Sequence, residues 1–332
     1  MRGRMGKLIS AVAALVVLPT AVWAEPLRVV GNVKVMEIAP LVLASEASGG
    51  QVEIALGGVP NLWDLQLASL TVAVAADVSK SAPPSTKLAD LAANAETQLL
   101  RATVAHPDGR YLLTVTEGLY RVVARRSRGI ATEADLKGKR IGTYPGTSAA
   151  FYLHKTLQRA NLTEKDVTIV TLSPQASEDA LIAGSIDAMS MWEPHSERAL
   201  RTLGDEAVLI APPHGYSEIY SLHTTQAALD NPQKRAAIVA YVRYLLSACR
   251  AISADPSHAQ KLIQPLNGYS PDQITQSWHY RFPCEITPNL LDKFVEEEAW
   301  LAAQDGRAPR TRAQLARLID TSVYDEARRA VK

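Results

Sequence analysis

The sequence lacks the short motifs that mark common hydrolases, metalloproteases and nucleotide-binding enzymes. It has no GxSxG elbow, no HExxH, no GxxxxGK[ST] loop and no CxxC, and its seven histidines are scattered without the spacing of metal ligands. Enzyme activity therefore has no local support. We expect no catalytic residue, no metal, no cofactor and a protein that is not an enzyme.

An excess of positive charge is missing as well. The chain has 35 Lys and Arg against 34 Asp and Glu, and three of the basic residues, Arg2, Arg4 and Lys7, lie in a predicted leader. Without them the balance is 35 − 3 = 32 against 34, a net charge of −2. This balance gives no indication of nucleic-acid binding.

Cysteine is scarce, since only Cys249 and Cys284 are present. The two could pair in an oxidising compartment, or Cys249 could be a core residue on the apolar face of a helix. The sequence leaves the pairing open. After loss of a 24-residue leader, 332 − 24 = 308 residues remain, enough for two ordinary domains with their own cores.

The N-terminus has the layout of a secretory signal peptide. Basic residues precede the apolar run "LISAVAALVVLPTAVWA", which ends in small residues at Ala24. A membrane anchor is disfavoured because the run is short and Pro19 interrupts it. The segment also has no Cys for lipid attachment and no Arg-Arg pair. We expect cleavage after Ala24, a free protein outside the cytoplasm, and no later run that spans a bilayer.

Short β-rich runs alternate with amphipathic helices along most of the chain, for example "LRVVGNV", "QVEIAL", "VTIVTL", "IDAMSM" and "AVLI" among the strands. This alternation predicts an α/β fold with a mostly parallel sheet. The C-terminal third is almost all helical, with Pro232, Pro271 and Pro288 just inside predicted helix starts. The segment from Leu65 to Lys87 fits poorly and is predicted to be an insertion or an irregular loop.

The stretch "RIGTYPGTSAAFYLHKTL", Arg140 to Leu157, predicts a strand, a turn at Pro145-Gly146 and a helix that starts at Thr147 or Ser148. The free N–H groups and the dipole at such a start favour an anion or polar oxygen by roughly 0.3 to 2 kcal/mol. The two hydroxyls could contact a ligand there. Alternatively, Thr147 or Ser148 only caps its own helix.

The elements "DLKGKRIG", "PGTS" and "GSIDAMSMWEP" occur in order between about Arg121 and Ala199. In this stretch the chain resembles the NMT1/THI5-like, SsuA/TauA (nitrate, sulfonate and taurine-type) group of periplasmic solute-binding proteins. The resemblance implies a type II binding-protein fold, with two doubly wound α/β lobes joined by two crossing segments. The first lobe is then 25–122 plus 224–332 and the second 123–223, with "LYRVVARR" and "IYSLHTT" as the crossings.

The same resemblance implies a function and partners. The protein would be a monomer in the periplasm that captures a small polar nitrogen- or sulfur-containing compound. It would deliver this solute, a sulfonate, a taurine-like compound, an amine or a pyrimidine, to the permease subunits of an ABC importer without itself spanning the membrane. Two alternatives stay open. One is an enzyme on the same fold, as in THI5-like pyrimidine synthases, although their Cys-rich motif is absent here. The other is a ligand-sensing module for a membrane receptor.

Ligands of open α/β sheets bind beyond the carboxyl ends of the strands, so we place the site in the loops that follow strands. The candidate ligand-binding residues are Asn32, Lys34, Asn94, Glu96, Thr97, Glu117, Gly146, Thr147, Ser148, Trp192 and Glu193. Trp192 could instead be a core residue, and Glu193 could instead stabilise its own helix; Glu96 and Thr97 share that second ambiguity. Three carboxylates near one cleft favour a ligand with donor nitrogens, because an unpaired buried carboxylate is costly.

Overall fold

The computed structural model describes residues 26–32, 34–57, 62–63, 71–74, 77–81, 89–210 and 216–330. The predicted leader, its cleavage site and Val33 lie outside these residues. In the described part of the chain the strands are β1 (Leu27–Asn32), β2 (Val52–Gly57), β3 (Thr71–Val74), β4 (Asp77–Ser81), β5 (Leu91–Ala95), β6 (Gly109–Gly118), β7 (Tyr120–Arg125), β8 (Arg140–Thr143), β9 (Thr168–Thr171), β10 (Ala188–Trp192), β11 (Ala207–Ile210) and β12 (Glu218–Thr225). The helices described are α1 (Ala39–Ala47), α2 (Glu96–Ala105), α3 (Ser148–Arg159), α4 (Pro174–Ile182), α5 (His195–Leu203), α6 (Gln226–Asp230), α7 (Pro232–Ala254), α8 (Ser257–Asn267), α9 (Pro271–Gln276), α10 (Leu290–Gln304), α11 (Arg312–Ala316) and α12 (Ser322–Arg329).

The strands form two sheets. The first has the order β4-β3-β2-β1-β5-β12-β6, and the second has the order β11-β7-β10-β8-β9. Three neighbouring strands are parallel in each sheet, β2-β1-β5 in the middle of the first and β9-β8-β10 at one edge of the second. The predicted α/β fold with two lobes is confirmed. The prediction of a mostly parallel sheet is wrong, because β12 and β7 enter antiparallel after the chain crosses between the sheets and because β3 and β4 add antiparallel pairings at one edge of the first sheet.

The segment from Leu65 to Lys87 contains two of the strands, β3 and β4. They pair antiparallel with each other, and β3 also pairs antiparallel with β2 at one edge of the first sheet. The prediction of an irregular loop is therefore wrong for these residues. The run "TVAV" contains the β-branched residues that favour extended backbone.

The chain passes twice between the sheets. Strands β6 and β7 belong to different sheets and are separated only by Leu119, and the return lies between β11 and β12. Most of "LYRVVARR" and "IYSLHTT" is therefore strand within a sheet, where the ladder satisfies backbone groups that a free crossing would leave unpaired. We propose residues 26–118 with 218–330 as the first lobe and 120–210 as the second.

Two of the three predicted proline starts hold. Pro232 and Pro271 occupy the first turns of α7 and α9, after the N-cap residues Asn231 and Ser270. Pro288 does not start a helix, because α10 begins at Leu290 after a residue in the left-handed conformation. Proline is tolerated in a first turn because the backbone N–H that it lacks has no partner there.

Helix α7 belongs to the core of the first lobe. It packs against α1 and α12 and buries Ile238, Tyr241, Val242 and Leu245. Among the described residues it is the helix that is long and apolar enough, by length and composition, to cross a membrane. Its most apolar 18-residue stretch has a mean hydropathy of 1.3, and half of that stretch is buried in the structure. The prediction that no run after the leader is apolar enough to span a bilayer is thus wrong as a statement about composition. The apolar residues of α7 are explained by their packing in the core of the first lobe.

The two cysteines form a disulfide. Cys249 of α7 is bonded to Cys284, and their Cα atoms are 6.2 Å apart. This separation lies in the usual range for a disulfide. The bond ties α7 to the segment between α9 and α10, which settles the question that the sequence left open.

Candidate functional site

A cavity lies between the two sheets, with an empty volume of about 390 Å³ that includes its opening to solvent. Both lobes contribute to its walls. From the first lobe come Asn32, Val35, Asn94, Ala95, Gln98, Glu218 and Tyr220, and from the second come Tyr120, Thr147, Ser148 and Trp192. Four strands, β1, β5, β8 and β10, end at this cavity, as the rule for open α/β sheets predicts.

Five of the predicted residues line the cavity: Asn32, Asn94, Thr147, Ser148 and Trp192. Asn32 ends β1 and Asn94 is the penultimate residue of β5, and each uses its side-chain oxygen to accept a backbone N–H that follows it in the chain. Asn32 Oδ1 accepts from the Lys34 N–H at 2.9 Å and Asn94 Oδ1 from the Ala95 N–H at 2.8 Å. These bonds hold the strand ends in shape beside the cavity.

Thr147 and Ser148 begin α3, but within the described chain neither hydroxyl caps it. The Thr147 hydroxyl donates to the Tyr144 carbonyl oxygen at 2.6 Å. The Ser148 hydroxyl lies 2.8 Å from the hydroxyl of Thr97, in the other lobe. The alternative of simple helix capping is therefore wrong, and Ser148 joins the lobes instead.

Two more side chains of α2 hold the same junction. Gln98 Nε2 donates to the Gly146 carbonyl oxygen at 3.0 Å, and an Nη atom of Arg101 donates to the same oxygen at 3.2 Å. Gly146 has a φ of +70°, which a residue with a side chain rarely adopts. Thr97 and Gly146, both predicted as ligand contacts, thus connect the lobes beside the cavity rather than line it.

Three other predicted residues point away from the cavity. Lys34 Nζ donates to the Asn267 carbonyl oxygen at 3.2 Å, so its charge lies near the end of α8. Glu117 forms an ion pair with Arg281 at 3.1 Å. Glu96 is fully buried against Glu297 of α10, and this burial raises the pKa of both carboxyl groups. Lys34 lies in a loop, Glu117 near the end of β6 and Glu96 at the start of α2, and none of the three lines the cavity.

Glu193 also lies outside the cavity lining. One of its oxygens is 3.0 Å from Arg121 Nε, and the other accepts the Glu197 N–H of α5 at 3.0 Å. Burial raises its pKa to about 7, against the opposing effect of Arg121. Of the two readings of Glu193, the structure supports the one in which it stabilises its own helix.

Sequence reasoning missed six lining residues: Val35, Ala95, Gln98, Tyr120, Glu218 and Tyr220. Gln98 lies in the first turn of the helix that follows a correctly chosen strand end. Glu218 and Tyr220 are two apart on β12, and alternate residues of a strand share one face. That spacing was a usable signal, but only once the strand was known to border the cavity.

The lining is aromatic and acidic. The rings of Tyr120 and Trp192 meet edge to face, with centroids 6.2 Å apart. The Tyr120 hydroxyl donates to Glu218 Oε1 at 3.1 Å, and burial raises the pKa of the Glu218 carboxyl well above its ordinary value. No Lys or Arg is among the described lining residues, and no metal-ligand cluster of His, Cys, Asp or Glu occurs among the described residues.

Two proteins that are similar to this chain in sequence are named as binding proteins. A Brucella abortus (strain 2308) protein named as a binding protein is 36% identical over 74 residues, which cover 22% of this chain and 23% of that protein. A Bacillus subtilis (strain 168) protein named as an aliphatic sulfonates-binding protein is 25% identical over 193 residues, which cover 53% of this chain and 58% of that protein. The chain thus spans less than two thirds of the length of either relative.

Solved structures share the fold. The alkanesulfonate-binding protein SsuA from Xanthomonas axonopodis pv. citri, bound to MOPS, has a TM-score of 0.63 at 20% identity, covering 90% of this chain and all of that one. The desulfurization enzyme DSZB has a TM-score of 0.57 at 14% identity, covering 93% of this chain and all of that one. At such identities the likeness concerns the fold alone, which serves a binding protein in one case and an enzyme in the other.

The family itself is shown by sequence. A family model described as NMT1/THI5 like matches residues 67–259, more than half of the chain. This range includes the motifs between Arg121 and Ala199 and three of the four strand ends at the cavity. The chain belongs to the NMT1/THI5-like family and has the two-lobed α/β fold of periplasmic binding proteins.

Proposed function

We propose that this protein is an extracytoplasmic solute-binding protein that captures a small polar compound between its lobes. It then delivers the compound to the permease subunits of an ABC importer. The observation that carries the proposal is the cavity, because both lobes supply its walls and a solute held there is enclosed when they approach. The named relatives are binding proteins, which supports the same role.

The lining supports a small nitrogen- or sulfur-containing solute. The start of α3 at Thr147 and Ser148 presents backbone N–H groups to a polar or anionic end of the solute. The rings of Tyr120 and Trp192 provide apolar surface for its body. The amides of Asn32, Asn94 and Gln98 surround it with groups that can both donate and accept.

An enzyme on this fold is the weaker alternative. DSZB shows that the fold can serve catalysis, but the likeness to this chain concerns the fold alone. The described lining residues include no Cys, His or Lys, and the hydroxyl of Ser148 lies against the hydroxyl of Thr97 rather than against a base. Turnover of a cavity-bound compound would nevertheless favour the enzyme. A pull-down that recovers a membrane receptor rather than permease subunits would favour the sensing module.

The proposed capture is tested by a thermal-shift screen of sulfonates, amino acids, amines and pyrimidines on the purified protein without its leader. We expect one chemical class to raise the melting temperature, because a ligand that binds only the folded state stabilises it. Small-angle scattering should then show a more compact particle with that compound. A protein that no compound stabilises, and whose scattering never changes, would refute the proposal.

The start of α3 is tested by the double substitution Thr147→Ala with Ser148→Ala. It removes two hydroxyls and the bond to Thr97 but keeps the helix N–H groups, so we expect affinity for the screened solute to fall by roughly 1 to 3 kcal/mol, about ten- to a hundredfold. Unfolding in urea should show a loss of about 1 kcal/mol. Thr163→Ala removes a real N-cap elsewhere in the second lobe and serves as the control. Unchanged affinity in the double variant would contradict a role in binding.

A further inference from the structure

One carboxyl group in the cavity wall has an oxygen without a donor. Glu218 is 4% exposed, and its Oε1 accepts the Tyr120 hydroxyl, but no N–H or hydroxyl group of the described residues donates to Oε2. A Cβ atom at Gly118 would lie 2.3 Å from that oxygen, so only glycine at this position lets the carboxyl group occupy its place. Gly118 therefore leaves space for the Glu218 carboxyl group beside the cavity, and the Oε2 atom of that group accepts no hydrogen bond from the described residues.

A second buried carboxyl group, outside the cavity lining, interacts with that of Glu218. Glu37 is 1% exposed, and its carboxyl group faces that of Glu218. Burial raises the pKa of Glu37 to about 7 and that of Glu218 well above its ordinary value. Two carboxylates can only accept, so they bond to each other only when one of them holds a proton.

Among the described residues, no Lys or Arg is a main influence on the pKa of either carboxyl group of this pair. Among the described residues, the titratable groups that interact with it include Tyr120, Tyr216, Tyr220, Tyr269 and Tyr280, together with the acidic residues Glu96 and Glu193. Arg121, which also approaches the space between the lobes, is paired with Glu193 at 3.0 Å and with Glu197 at 2.8 Å. A solute that enters the cavity thus meets the carboxyl group of Glu218 and the aromatic rings of Tyr120, Trp192 and Tyr220, an environment that suits a positive charge.

We propose that Glu218 accepts a protonated nitrogen of the solute, and that this cation takes the place of the proton shared by Glu218 and Glu37. The displaced proton leaves to solvent, so one positive charge is exchanged for another. The cavity then selects solutes with an ammonium or amidinium-type group over purely anionic ones. This inference rests on the proposed function, since it names the chemical class that the same site takes.

The test uses pairs of compounds that differ in one charged nitrogen: taurine with isethionate, ethanolamine with ethylene glycol, and benzamidine with benzamide. In each pair that binds, we expect the compound with the charged nitrogen to bind to the wild type at least about tenfold more tightly than its partner. Glu218→Gln should abolish that preference, and Glu326→Gln, at a surface ion pair of the first lobe, should keep it. Calorimetry in buffers of different ionisation enthalpy should show about one proton released with the wild type and none with Glu218→Gln.

The shared proton has its own test without solute. The folded protein holds a proton on Glu37 that the unfolded chain releases, so the stability contributed by this group is complete below about pH 4.5 and is lost as the pH rises through about 7. Between pH 5 and pH 8, the free energy of unfolding measured in urea should therefore decline less in Glu37→Gln than in wild type, and Glu326→Gln should decline as wild type does. An identical decline in Glu37→Gln would overturn the shared proton.

The outcomes separate the two proposals. If the compounds without a charged nitrogen bind as tightly as those with one, and Glu218→Gln binds like wild type, the inference of a cationic solute is wrong while solute capture stands. If no compound of any class binds, both proposals are wrong. Loss of the charge preference in Glu218→Gln, together with the altered pH dependence of Glu37→Gln, would establish the inference.

Discussion

Replacing Trp192 with alanine is expected to lower the affinity for the cognate solute about a hundredfold while both lobes stay folded. Trp192 ends β10, lines the cavity from the second lobe and is only 9% exposed. Truncation of a well-packed aromatic at the centre of a binding surface costs roughly 2 to 4 kcal/mol of binding free energy. Because a solute shifts the lobes only through its greater affinity for the closed form, contacts from both lobes carry much of that energy.

Calorimetry with the solute found by screening would measure the effect of Trp192→Ala on affinity. Urea unfolding would measure its effect on stability. Because Trp192 borders the cavity, we expect a stability loss below the roughly 3 to 5 kcal/mol of a fully packed Trp. Trp63→Ala is the matched control, because Trp63 stacks on His106 and neither residue lines the cavity. Tryptophan emission of the wild type should change on solute addition. Unfolding of Trp192→Ala without solute would instead show that Trp192 is a core residue.

Replacing Arg121 with methionine is expected to lower the free energy of unfolding by roughly 3 to 5 kcal/mol, because it leaves Glu193 buried and unpaired. Glu193 is fully buried, and Arg121 contacts both it and Glu197, at 3.0 and 2.8 Å. The pKa of Glu193 is raised to about 7 even with Arg121 present, so burial already outweighs the ion pair. Without Arg121 the carboxyl group must take up a proton or the site must open.

Urea unfolding of Arg121→Met, alone and combined with Glu193→Gln, would test this result. The double variant should recover part of the loss, since no buried charge remains. Arg201→Met removes a half-exposed partner of Glu197 and should cost less than about 1 kcal/mol. Glu193→Gln alone should leave solute affinity nearly unchanged, because Glu193 does not line the cavity. An Arg121→Met protein as stable as wild type would show that this ion pair contributes nothing to stability.

Several features followed from local sequence alone. Strands and helices such as "LRVVGNV", "IDAMSM" and the unit from Arg140 to Leu157 have periodicity and turn residues that act within a few positions. The order of strand, loop and helix then determines which loops meet, because parallel strands place their carboxyl ends at one edge. This is why Asn32, Asn94 and Trp192 could be placed at the cavity from their positions after strands.

The direction of individual side chains needed the tertiary structure. Asn94 and Glu96 are two residues apart, yet one lines the cavity and the other is buried against Glu297, because a strand becomes a helix between them. Glu193 looked like a cleft residue until its partner Arg121, distant in sequence, was seen beside it. Local patterns do not encode such long-range partners.

The sequence by itself determined the α/β class, the family and the loops that meet between the lobes, since these depend on periodicity and on motifs that are contiguous in the chain. Only the tertiary structure decided the cysteine pairing, the strands within Leu65 to Lys87 and the place of Glu218 beside Glu37. Each of these depends on which distant segments pack together. A strand such as β12 acquires its role from its neighbours β5 and β6, and that pairing is set by the whole fold rather than by its own residues.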